Sequence, residues 1–79
     1  PSVGAREVVV CPGSQAAIAT AFNALTQPGD PLVVESPSYV GALAAARAAG
    51  LRLVPVPTDA DGVVPDLLAR AFDTSGARV

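Results

Sequence analysis

The chain contains no lysine, no histidine, no tryptophan and no methionine, and a single cysteine among 79 residues. Without lysine or histidine, the side chains most used as amine nucleophiles and near-neutral general bases are absent, so chemistry that needs them draws on residues outside this sequence. One cysteine cannot make an internal disulfide. Cys11 reads as a small buried hydrophobe at a strand end. The alternative, a reactive thiol, has no histidine to activate it. This cysteine usage fits a reducing, cytoplasmic setting. Five arginines stand against seven acidic residues, a net charge of −2, so there is no basic patch of the kind that binds nucleic acid. No uninterrupted apolar run reaches the roughly 18–20 residues of a membrane span, and no secretory signal pattern opens the sequence. No metal-ligand set is read either.

What is present is apolar: 51% of residues are hydrophobic and only 15% charged. A chain of this size makes one domain at most and has a marginal core. So much apolar content in so few residues suits a piece whose faces are covered by further structure. The expectation is an excerpt from a longer protein, without an internal boundary and not stably folded by itself.

Three strand-then-helix units follow from the apolar pattern. The first strand is expected at Glu7 to Cys11, where Val8, Val9 and Val10 run continuously, as in a strand covered on both faces. The first helix spans Ser14 to Thr26, with Ile18, Ala21, Phe22 and Leu25 on one face. Pro28, Gly29 and Asp30 stop it. A second strand runs from Pro31 to Glu35 and is broken by Ser36, Pro37 and Ser38. A second helix, from Tyr39 to Ala49, is built largely of alanine and stopped by Gly50. The third strand covers Leu51 to Val56, with Pro55 ending it early or placing it at an edge. Asp59, Ala60, Asp61 and Gly62 form a turn cluster. Pro65 opens a third helix through Leu67, Leu68, Ala71 and Phe72, ended at Ser75 and Gly76, and Val79 begins a fourth strand. Strands alternating with helices of this length pair in parallel through right-handed crossovers. The fold class is α/β, a partial parallel or mixed sheet with flanking helices.

Ligands in open α/β sheets bind beyond the carboxyl ends of strands, and two such ends are chemically loaded. Gly13, Ser14 and Gln15 join the first strand to the first helix. Gly13 permits close backbone approach, Ser14 offers a hydroxyl, and the amides of Ser14 and Gln15 leave the positive end of the helix, an arrangement that suits a phosphate. The alternative is that Ser14 is simply the N-cap. The spacing is neither that of a Walker A loop nor GxGxxG. At the second end, Tyr39, the only tyrosine, follows a Pro-stiffened turn and is placed to stack on a flat heteroaromatic ring, or alternatively to pack at a helix start.

The stretches Cys11 to Ala17, Gln27 to Tyr39 and Ala48 to Gly62, in this order and spacing, resemble the large domain of class I/II, fold type I, pyridoxal-phosphate-dependent aminotransferases. The resemblance covers nearly the whole chain, from Val8 to Val79. It implies that residues 1–79 are part of one cofactor-binding large domain. It further implies that Gly13, Ser14 and Gln15 hold the phosphate of pyridoxal 5′-phosphate and that Tyr39 stacks on its pyridine ring. Asp30 matches a structural turn, and Glu35 and Pro37 shape the second loop. Pro12 departs from the pattern by removing one amide donor.

In that family the cofactor aldehyde joins a lysine. An Asp faces the pyridine nitrogen, an Asn lies near the ring hydroxyl and an Arg holds the substrate carboxylate. These residues fall downstream of the matched region, so no catalytic residue is expected in this chain, and alone it is expected to be inactive. The family's sheet order also places further strands between the first and second strands read here. The implied function of the full-length protein is amino-group transfer between an amino acid and a 2-oxo acid, as a homodimer. The alternative is the aminotransferase-like effector domain of a GntR/MocR-type transcriptional regulator, which a helix-turn-helix region upstream would distinguish.

Overall fold

In a computed structural model the described residues are 2–79. A short 3-10 turn at Ala5–Glu7 precedes the first full helix, α1 (Ser14–Leu25). Strand β1 (Pro31–Ser36), helix α2 (Val40–Ala48), strands β2 (Arg52–Asp59) and β3 (Gly62–Val63), and helix α3 (Pro65–Ser75) follow in order. The sheet runs β1-β2-β3. β1 and β2 pair in parallel from Pro31 with Arg52 to Ser36 with Pro57, whereas β2 and β3 form an antiparallel hairpin.

The hydrophobic core explains this arrangement. Phe22 of α1, Leu32 of β1, Ala46 of α2 and Leu51 at the start of β2 are buried together, with Ile18, Val34, Ala45 and Leu53 packed around them. Leu32 is paired with Leu53 across the strands, so one face of the sheet meets α1 and α2. The alanines of α2 bring its backbone close to that face. Val54 and Val56 project to the other face, where they share a cavity of about 230 Å³ with Leu67 and Ala71 of α3. The sheet is thus covered on both sides, the α/β arrangement expected for parallel strands.

The first expected strand is not formed. Glu7 ends the 3-10 turn, and Val8 to Cys11 carry no strand pairing. Val8, Val9 and Val10 are 58%, 76% and 92% exposed, and Cys11 is half-buried rather than buried. A strand persists only where a neighbour takes its amides and carbonyls, and no described segment lies beside this one.

The other elements match the expectations to within a residue or two, except β2. It continues through Pro55 and Pro57 to Asp59. The Arg52 amide donates to the Asp30 carbonyl at 2.8 Å. Amide direction alternates along a strand, so residues 54 and 56 also point at β1, and 53, 55 and 57 point away. Both prolines therefore lack an N–H only on the outer edge, where no ladder needs it. The hairpin to β3 is an addition: the Asp61 amide donates to Asp59 Oδ1 at 2.8 Å, and Gly62 takes φ +110°. At the opposite edge of β1, the Val33 amide donates to the Val79 carbonyl at 2.9 Å, so Val79 lies where a fourth strand would start.

Candidate functional site

Parallel strands return every strand end and every following helix start to the same side of the sheet. β1 leads into α2 through residues 37–39, and α1 starts on the same side because it runs antiparallel to β1. The Ser36–Pro37 peptide bond is cis, and Tyr39 is the N-cap residue of α2, its carbonyl accepting from the Ala42 and Leu43 amides at 3.1 and 3.2 Å.

At the start of α1, the N-cap is Gly13 and not Ser14. Gly13 has φ +93° and ψ 164°, a conformation essentially restricted to glycine. Its amide donates to the Cys11 carbonyl at 2.9 Å across Pro12. Ser14 is consequently the first helical residue, and no side chain caps this end. The first intrahelical bond runs from the Ala17 amide to the Gly13 carbonyl at 3.2 Å. The preceding amides, of Ser14, Gln15 and Ala16, are the orphan donors of a helix start. Ser14 and Gln15 are exposed, and a Cβ built on Gly13 would meet nothing within 4 Å. The turn is an uncapped set of N–H donors with open space before it, and a phosphate group fits this donor set.

The two loops meet. Gln15 Nε2 donates to the Gly41 carbonyl at 2.8 Å, a bond spanning 26 positions from α1 to the first turn of α2. A Cβ built on Gly41 would lie 2.5 Å from Cε2 and Cζ of Tyr39, and it would also collide with Gln15 Oε1. The Gln15 amide and the Tyr39 ring thus flank one point on α2. The Tyr39 side chain is 60% exposed, so its ring is available to stack. The residues singled out from the sequence, Gly13, Ser14, Gln15 and Tyr39, stand on one side of the sheet and at adjoining helix starts. The site is open. A cavity of about 320 Å³ beside it is lined by Glu35, Ser36, Pro37 and Leu43 among others, but by none of these four residues.

A family model for class I and II aminotransferases matches residues 2–73. The chain belongs to this family. The aminotransferase tdiD of Emericella nidulans is 42% identical over 60 residues, 76% of this chain and 14% of that protein. The HTH-type transcriptional regulator YjiR of Escherichia coli is 31% identical over 72 residues, 90% of this chain and 15% of its own length. The kynurenine aminotransferase of Pyrococcus horikoshii, solved in complex with PMP, superposes with a TM-score of 0.72 at 30% identity, over 85% of this chain and 17% of that one. The fold is therefore a part of the fold type I aminotransferase architecture, and the chain spans about one-seventh to one-sixth of the length of these aminotransferase-family relatives.

Sequence reasoning missed Gly41. Its signal was there: a glycine in the first turn of an otherwise alanine-rich helix, two residues after the tyrosine, costs helix propensity unless something needs the space.

Proposed function

We propose that the full-length protein is a pyridoxal-phosphate-dependent aminotransferase that moves an amino group between an amino acid and a 2-oxo acid. Residues 1–79 form part of its cofactor-binding large domain. The amides of Ser14 and Gln15 and the Ser14 hydroxyl bind the cofactor phosphate, Gly13 leaves room for it, and Tyr39 lies against the pyridine ring. The observation that carries this reading is the meeting of Gln15 and Tyr39 at Gly41, which sets an anion-binding helix start beside an exposed aromatic ring. When bound, the cofactor supplies the electron sink for cleaving a bond at the amino acid α-carbon. This chain's residues bind and orient it; the side chains that exchange protons with substrate lie outside it. In keeping with the family, the protein is read as a cytoplasmic homodimer.

The similarity to YjiR favours a second reading, in which the same loops bind the cofactor in the effector domain of a transcriptional regulator. One pair of measurements on the full-length protein separates the two. Addition of pyridoxal 5′-phosphate should give a visible absorbance band, and mixing with an amino acid and a 2-oxo acid should produce the exchanged pair. Cofactor uptake without transamination, together with salt-dependent binding to duplex DNA, would transfer the proposal to the regulator. No cofactor uptake at all would defeat both readings.

A further inference from the structure

We infer that Gly41 is a positioning residue: its missing side chain sets the spacing between the phosphate-binding turn and the ring-stacking tyrosine, and Gln15 locks that spacing. The space a Cβ would fill is taken from two sides, by the Tyr39 ring at 2.5 Å and by the Gln15 amide. Cβ contacts this short do not persist, so any side chain at position 41 drives the ring, the amide or both outward. Gly41 has a second part in the lock, because its carbonyl accepts the Gln15 Nε2 proton at 2.8 Å. A carbonyl carries two lone pairs, so it can take this side-chain donor in addition to a helical amide. The bond is the only side-chain hydrogen bond recorded between α1 and α2 among the described residues, and it ties the first turn of one helix to the first turn of the other. Gln15 therefore serves the site in two ways: its backbone amide faces the phosphate position, while its side chain holds α2, and Tyr39 with it, at a fixed distance.

The inference rests on the cofactor reading for its binding arm and is independent of it for its structural arm. In the full-length protein, Gly41→Ala is expected to raise the dissociation constant for pyridoxal 5′-phosphate about fivefold, as much as losing the ring contact itself. The visible circular dichroism per bound cofactor should change as well, because the ring loses its fixed seat. In a Gln15→Ala background the same substitution should cost about twofold, since half of the collision is already removed. Equal costs in the two backgrounds, or an unchanged constant and spectrum, would overturn the inference while leaving the function intact.

Should Gly41→Ala fail to fold, Gln15→Leu carries the test in the apo protein. Hydrogen exchange at the Ala42 and Leu43 amides should speed up about tenfold once the tie is lost. Unchanged exchange there would refute the lock even if the wild-type protein took up no cofactor, the outcome that would instead refute the cofactor reading.

Discussion

Substituting alanine for Gly13 isolates the role of the turn before α1. The position combines φ +93° and ψ 164° with open space around a built Cβ, so the substitution adds backbone strain and no collision. Holding a non-glycine residue in such a conformation costs about 1–3 kcal/mol. Where that energy appears depends on what holds the turn. Among the described residues, the backbone hydrogen bond at Gly13 outside the helix is its amide bond to Cys11, in a mostly exposed segment, so the unliganded turn is free to relax. On the proposed reading, a relaxed turn aims the Ser14 and Gln15 amides away from the proposed phosphate position, and binding must then restore the strained form. The strain therefore falls on the dissociation constant, a weakening of roughly 5- to 140-fold for pyridoxal 5′-phosphate.

Pyridoxal, which lacks the phosphate, should be affected far less, and the comparison of the two ligands by fluorescence titration of the full-length protein is the assay. Gly29→Ala provides the control. Gly29 has φ +91° and equally open surroundings, but it sits at the other end of β1, where its amide donates to the Gly50 carbonyl at 2.8 Å. It should lower the unfolding midpoint in urea and leave both ligands bound as before. The reasoning is refuted if Gly13→Ala weakens pyridoxal and its phosphate equally, or if Gly29→Ala weakens the phosphate ester as much as Gly13→Ala does.

Three further outcomes are expected. Tyr39→Ala should weaken cofactor binding about fivefold, from an aromatic contact of about 1 kcal/mol, whereas Tyr39→Phe should bind close to wild type, as measured by equilibrium titration. Leu32→Ala, which empties the centre of the packing between β1, α1 and α2, should cost about 2–5 kcal/mol in urea unfolding of the full-length protein. The 79-residue chain alone, whose buried apolar residues are Phe22, Leu32, Ala46, Leu51, Val56 and Ala77, should show no cooperative thermal melt by circular dichroism; a sharp, high transition would contradict this.

The helices and two of the parallel strands were legible because local signals agree there. Apolar spacing, Gly50 and Gly76 at helix ends, and Pro65 at a helix start all point the same way. The Val8–Val10 run was legible as extended chain but not as a paired strand, because pairing is a property of the neighbour and not of the segment. For Pro55 the sequence leaves open an early stop or an edge placement; β2 continues to Asp59 and the edge placement is the one found, a choice that rests on which side of the strand faces outward. The exchange of Ser14 for Gly13 at the cap has a similar origin. Pro12 makes the turn close one residue earlier, through the Gly13 amide, and the serine is carried into the helix. For the candidate site, the chemically loaded strand ends marked Gly13, Ser14, Gln15 and Tyr39, and the structure brings them to adjoining helix starts. The tie from Gln15 to Gly41 was illegible, since it depends on how two helices lie against each other.

The prolines of β2 also bear on which flank of the sheet can take a further strand. Of the outward-facing positions 53, 55 and 57, only Leu53 retains an N–H to offer a foreign strand. A second molecule docking there forgoes two ladder bonds, a deficit of about 2 kcal/mol at the usual net value. The flank of β1 marked by Val33 has no such guard and accepts the chain's own Val79 instead. Strand addition is thereby less favoured at the proline-bearing flank of β2 than at the flank of β1.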